Sequence, residues 1–359
     1  MNPLPTTMRA VLLTGHGGYD KLVLRDDVPR PVAGPSEVIV RVAAAGINNT
    51  DINTRIGWYA KSVTEATEAA AAAESQADDD TSWAGGSFTF PRIQGADACG
   101  RIVEVGPGVA TARLGERVLV EPVFRGPAAF DIRYFGSEVD GGFADYACVP
   151  SAHAHKIDTS LSDVDLASVP CAYSAAENML TRLDLAKGER VLITGASGGV
   201  GSAAVQLAKR RGAEVLAIAG ESKTSAVRSL GADHVIPRQA SLKTLFGSNY
   251  FDAAVDVVGG PSFAAILDTL KPNGRYAVAG AIAGPLVELD LRTLYLKDLQ
   301  LLGCTVLEPE VFPNLVRYLE PGEIKPHVAA TYPLEEIVTA QQAFLDKRHV
   351  GKIVLTLTD

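Results

Sequence analysis

RVLITGASGGVGSAAVQLAKRRG, residues 190–212, decides the fold. Residues 191–194 form a short apolar, β-branched run of the kind a parallel strand needs when helices cover both of its faces. Glycines follow at Gly195, Gly198, Gly199 and Gly201. Beyond them Val200, Ala203, Ala204, Leu207 and Ala208 recur at three- and four-residue steps. Lys209, Arg210 and Arg211 gather where cations favour a helix dipole. Strand, glycine turn and helix are therefore contiguous. A helix N-terminus offers unpaired N–H groups, and residues without a Cβ let a pyrophosphate reach the backbone. The stretch predicts a dinucleotide phosphate held at Gly195, Gly198, Gly199, Val200 and Gly201.

Downstream, strand and helix patterns alternate. Residues 214–218, 234–236, 251–258, 275–278 and 300–304 read as strands, and 223–230 and 262–270 as helices. This predicts an α/β protein with a doubly wound parallel sheet, whose ligand lies beyond the strands' carboxyl ends. Residues 164–169 and 174–185 read as helices leading into it.

Upstream the pattern differs. Residues 8–13, 37–44, 88–105, 116–123 and 142–149 read as short strands among glycine and proline turns, with Pro29, Pro31 and Pro35 separating the first two. They predict a partly open β-barrel. Residues 43–59 read as a polar loop leaving a strand and carrying Asn48, Asn49, Thr50 and Asp51, a place where function concentrates. Residues 58–88 read as an insertion: a helix-favouring part at 64–74, then an acidic, mobile part at 77–86, together a solvated excursion.

Composition excludes several classes. The 359 residues exceed a single core, and 47% hydrophobic content supports two. A formal charge of −9 argues against a nucleic-acid surface. No signal sequence is evident and no apolar run approaches the ~18 residues of a membrane span, so a cytoplasmic location without membrane contact is the default expectation. Cys99, Cys148, Cys171 and Cys304 form no CxxC pair, which predicts free thiols. His153, His155 and His349 have no cysteine or carboxylate cluster beside them in sequence.

The end of the second strand of the sheet discriminates between cofactors. Glu221 suggests a bond to a ribose 2′-hydroxyl, as in NAD. Gly220, Ser222, Lys223 and Arg238 instead supply the donors and cations that a 2′-phosphate requires. The expected cofactor is NADPH.

The order of a β domain, a nucleotide domain and the return segment HVGKIVLTL (349–357) resembles the medium-chain dehydrogenase/reductase superfamily. GINNTDINTRIGWY (46–59), GADACGRIVEVG (95–106), GGFADY (141–146), PCAYSAAENML (170–180) and GASGGVGSAAVQLAK (195–209) resemble its quinone oxidoreductase branch. The resemblance implies a GroES-like catalytic domain at 1–157 and 307–359 and a Rossmann domain at 158–306. It implies a nicotinamide wall at 278–284, with Val258 and Gly280 against the cofactor. It also implies a homodimer paired along 299–305.

Zinc-using members place a cysteine ligand where this chain has Asn48, and the histidine and glutamate of GHE within the stretch Gly95, Ala96, Asp97. Cys171 matches the third ligand position, and the lobe at 125–140 carries no cysteine for structural zinc. No metal is expected. Without a Lewis acid, alcohol oxidation lacks its means of activation, whereas hydride addition to a quinone or enone needs only positioning and a hydrogen bond to oxygen. The resemblance assigns this to Asn48 as donor, Tyr59 as pocket wall or proton relay, and Asp51 as a brace. The rival readings are a zinc-type alcohol dehydrogenase and a non-catalytic NADPH-binding protein.

Overall fold

Val191, Leu192 and Ile193 are fully buried in the strand Arg190–Ile193, at the centre of a six-stranded sheet. The computed structural model describes residues 4–73, 82–83, 88–126 and 131–357. Counted from that strand, the sheet continues through Glu214–Ala219, His234–Pro237, Phe251–Asp256, Leu270–Val278 and Gln300–Gly303, in the spatial order 3-2-1-4-5-6. All its pairings are parallel. The side-chain alternation of a strand divides the core into two layers. Val191 and Ile193 pack with Leu180, Leu207 and Phe312 on one side, and Leu192 with Phe251, Phe263 and Ile266 on the other. The order reverses between the first and fourth strands, which opens a crevice at their carboxyl ends. Gly195 and Val257 lie at that crevice, just beyond those two strands.

The turn after the first strand has little freedom. Gly195 has φ +57°, and a Cβ on Gly201 would lie 2.2 Å from the Gly195 carbonyl oxygen. The helix Gly199–Arg210 can thus start directly on the strand only with glycine at these points.

The remaining strands build the GroES-like domain. One sheet runs Ala154–Lys156, Arg117–Val120, Cys99–Val105, Glu37–Gly46, Lys352–Thr356, Val328–Pro333, with Tyr146–Pro150 also pairing to Glu37–Gly46. A second, three-stranded sheet is Leu22–Pro29, Thr7–Leu13, Arg92–Ile93. The C-terminal strand Lys352–Thr356 enters beside Glu37–Gly46, so residues from both ends of the chain share one sheet.

One strand goes unread in the sequence, and two sequence expectations change. Leu22–Pro29 is a strand although its centre, Arg25, Asp26 and Asp27, faces solvent. As the outer strand of its sheet it needs burial only at Leu22 and the residues near it. The stretch read as a loop at 43–59 contains the helix α1, Asn49–Arg55, whose start is set by Asn48 and Asp51. The insertion is not simply solvated: Val63, Thr67 and Ala70 are buried, and Thr67–Ala72 form the helix α2. The acidic stretch at 77–86 lies outside the described residues except for Ser82 and Trp83, whose indole stacks on Tyr134 at 4.5 Å.

Candidate active site

Five polar or ionisable side chains meet where the two domains join. Asp97 is fully buried just ahead of the strand Cys99–Val105, and its Oδ1 accepts the Cys171 N–H at 2.6 Å. Cys171 is the second residue of the helix Pro170–Arg182, so this contact also sets a carboxylate at a helix N-terminus. Asp97 Oδ2 accepts from Asn48 Nδ2 at 2.7 Å and from the Lys352 ammonium at 2.9 Å. Lys352, 2% exposed, spends its other two donors on the Ile47 carbonyl at 2.9 Å and on Asn48 Oδ1. Glycine at 46 permits this packing, because a Cβ there would lie 2.3 Å from Asp97 Oδ2. All three ammonium protons are therefore taken by buried acceptors.

Asn48, the expected donor, is held at both ends of its amide. Its second Nδ2 contact, to the Gly46 carbonyl, is long at 3.4 Å and is the one most easily exchanged for another acceptor. Asp51 braces the start of α1, accepting from the Asn48 N–H at 2.7 Å and the Gly95 N–H at 3.2 Å. Burial, and to a lesser degree the nearby Asp97 charge, push its carboxyl up to about 7 against these hydrogen bonds. Tyr59 is half-buried and donates to Thr50 Oγ1 at 3.1 Å. Burial raises its phenol to about 12, so it stays protonated at neutral pH. Burial and Asp97 also raise the Cys171 thiol, which keeps it neutral.

The other half of the site is the crevice. Asp256, fully buried, accepts from Thr194 Oγ1 at 2.6 Å, the Tyr276 hydroxyl at 2.6 Å and the Val258 N–H at 2.8 Å. This fixes the loop carrying Val258 opposite the glycine turn. Gly280 lies over that loop, a Cβ there meeting the Val257 carbonyl oxygen at 3.2 Å. Lys223 reaches back to the Lys347 carbonyl, and its pKa is lowered by burial and by Arg238 nearby. The structure thus brings together the cations singled out in sequence and adds Lys347, whose ammonium burial lowers to about 8. Glu221 and Ser222 are exposed. His349 Nδ1 is buried without a hydrogen-bond partner beside these cations. The glycine cradle and this unpartnered nitrogen fit a bound dinucleotide.

Other expectations resolve more simply. The cysteines are free thiols. His153 and His155 both approach the Glu121 carboxylate, at 3.2 and 2.9 Å. Burial opposes its ionisation, but the two imidazoles outweigh that and hold it at about 2. No group of His, Cys, Asp and Glu among the described residues is arranged to hold a metal ion. Lys352 was missed in sequence: its only signal is a lysine at the head of an otherwise apolar strand, and its partner Asp97 is 255 positions away.

Residues 34–159 match the alcohol dehydrogenase GroES-like domain and residues 199–320 the zinc-binding dehydrogenase domain. Acryloyl-coenzyme A reductase of Metallosphaera sedula is 30% identical over 97% of this chain and 100% of its own length. The chain belongs to the medium-chain dehydrogenase/reductase superfamily. Human quinone oxidoreductase is 26% identical over 98% of both chains. Among solved structures, a Sinorhizobium meliloti protein provisionally designated an alcohol dehydrogenase is 45% identical. It superposes with a TM-score of 0.88 over 99% of this chain and 98% of its own. These relatives and the crevice identify an oxidoreductase of this superfamily that uses a nicotinamide dinucleotide.

The raised Asp51 carboxyl has a consequence for stability. Folded, it keeps its proton up to about pH 7, whereas unfolded it releases it near about 3.9. Between these values the folded state binds more protons, so this group's contribution is full below the lower value and is lost as pH rises. Denaturant midpoints are expected to gain a downward component from pH 4 to 7 that Asp51→Asn removes. Parallel pH profiles for the two proteins would contradict the assignment.

Proposed function

We propose that this chain is a zinc-independent oxidoreductase that delivers hydride from NADPH to a quinone or an α,β-unsaturated carbonyl compound. The observation that carries the reading is the Lys352 ammonium. It sits among Asn48, Asp97 and Cys171, the positions that resemble a zinc site, and already satisfies Asp97 Oδ2 and Asn48 Oδ1. A divalent ion placed there would face a buried cation and an amide, with only the Asp97 carboxylate and the Cys171 thiol as zinc-type ligands, so these residues do not fit a resident catalytic zinc. The names of the relatives, an acryloyl-coenzyme A reductase and a quinone oxidoreductase, support an activated, conjugated acceptor.

When bound, the dinucleotide supplies the hydride, and conjugation in the acceptor spreads the developing charge. The chain's own groups then need only orient and donate. Asn48 exchanges its long contact to Gly46 for the acceptor oxygen. Tyr59 donates to Thr50, which leaves the Thr50 hydroxyl hydrogen for the acceptor, and the pair passes a proton inward from water. Asp51 holds Asn48 at the start of α1. Gly195, Gly198, Gly199, Val200 and Gly201 cradle the pyrophosphate, Val258 and Gly280 flank the nicotinamide, and Ser222, Lys223 and Arg238 take the 2′-phosphate.

Three outcomes are expected. First, NADPH oxidation by some member of a panel of quinones, enones and enoyl thioesters survives exhaustive chelation. Stoichiometric zinc that leaves together with activity, or no turnover with any acceptor, sinks the proposal. Second, Lys223→Ala with Arg238→Ala weakens NADPH binding about 10- to 100-fold, the worth of one or two charge-assisted hydrogen bonds, with NADH little changed. Tighter NADH binding by the unaltered chain overturns the assignment. Third, the open edge Gln300–Gly303, flanked by exposed Leu286, Leu291, Tyr295, Leu296 and Leu301, pairs with a second copy. Sedimentation at the dimer mass is expected, and at the monomer mass would remove this contact.

A further inference from the structure

The helix α2 is six residues long and has no side-chain cap. Alone, a helix that short is unstable in water, and its first N–H groups lack partners. One of them is supplied from the other domain: the Thr67 N–H donates to the Ile282 carbonyl at 3.2 Å. Ile282 lies in the wall 278–284, which is fixed on its other side by the Ala283 N–H donating to the Val258 carbonyl at 2.9 Å. The Thr67 hydroxyl donates to Asn53 Oδ1 at 3.3 Å, on the same helix α1 that carries the start of the candidate active site. Thr67 is 1% exposed. Two residues before Thr67, the Glu65 carbonyl accepts from Trp58 Nε1 at 3.0 Å, which secures the approach to α2. Beside Thr67, the Glu68 carboxylate favours the charged form of Lys347, within the cation group at the ribose end of the crevice. The inserted helix therefore contacts the segment that carries Ile282 and neighbours those cations through Glu68.

We propose that Thr67 is a positioning residue that ties the nicotinamide wall to α1 and holds the crevice closed over the dinucleotide. The inference rests on the dinucleotide reading of the crevice but not on the identity of the acceptor. Order in α2 and the place of the wall are coupled, because each supplies the other's hydrogen-bond partner. Dinucleotide release requires this contact to open, and its loss speeds release.

Thr67→Pro opens the contact, because the ring Cδ replaces the amide hydrogen that faces the Ile282 carbonyl. Thr67 is the first residue of α2, where proline is tolerated, and Ala66 has φ −61° and ψ 149°, the conformation proline requires of its predecessor. The substitution removes the N–H and the hydroxyl, Thr67→Val removes only the hydroxyl, and Thr67→Ser restores both. Stopped-flow fluorescence of bound NADPH or NADH is expected to show release about fivefold faster for Thr67→Pro, the fold-change of one ordinary hydrogen bond. Thr67→Ser should match the unaltered chain, and Thr67→Val should lie between. Release by Thr67→Pro at the unaltered rate overturns the inference. Should that variant fail to fold, hydrogen exchange on the unaltered chain decides: residues 63–72 must become more protected on saturation with dinucleotide, and unchanged protection overturns it. Failure of the unaltered chain to bind either dinucleotide overturns the cofactor reading and this inference together, whereas binding with unaltered release overturns this inference alone.

Discussion

The buried pair of Lys352 and Asp97 is the constraint on which the arrangement of the two domains depends. Taking two such charges out of water costs on the order of several kcal/mol per ion, and the pair is tolerated only if every remaining donor and acceptor is met. Here they are met by groups from two further elements: Ile47 and Asn48 at the start of α1, and the Cys171 N–H of the helix Pro170–Arg182. The Lys352 stem also lies against Gly199, and the Gly351 N–H donates to the Ser197 carbonyl at 2.9 Å. One side chain thus joins the barrel, the polar cluster and the glycine turn. Displacing any of these elements would strand a buried charge, which costs more than the net worth of the pair.

That pair also shapes the chemistry open to the chain. A metal ion polarises an oxygen directly because it keeps an open coordination position. An ammonium whose three protons are all engaged by protein acceptors offers no such position, and its influence passes through the group it holds. Lys352 fixes which end of the Asn48 amide faces Asp97, since Oδ1 accepts from the ammonium and Nδ2 donates to the carboxylate. Under the proposed function, the reactive capacity of the site rests in neutral donors, the remaining amide hydrogen and the Tyr59–Thr50 hydroxyls. Neutral donors suit an acceptor that is already activated by conjugation.

The parts of this molecule that are legible in the sequence are those built from local signals. Residues 190–212 predict strand, turn and helix because the strand's apolar run, the glycines and the helical periodicity are adjacent. The same holds for the parallel order that follows. Helix α1 was missed because its one-turn capping signal, Asn48 and Asp51, is short and sits in a polar segment with no long amphipathic stripe. Leu22–Pro29 was missed because an outer strand needs few buried residues. Lys223 and Arg238 can be placed near each other from the sequence because the second and third strands end side by side. Lys347 and Lys352 come from a segment whose return to the site is a matter of topology, not spacing.

The insertion shows the same limit from the other side. Its alanines and glutamates carry strong helix propensity, which predicts a helix but says nothing about whether the helix has a partner. Six residues gain too little from propensity to order themselves, so the burial of Val63, Thr67 and Ala70 implies that tertiary contact creates α2. A segment ordered by tertiary contact on two sides, the barrel core and the Ile282 carbonyl, is poised to respond when either shifts. An excursion that reads as solvated surface in composition is thereby tied to the segment at Ile282, through a backbone N–H that no side-chain pattern reveals.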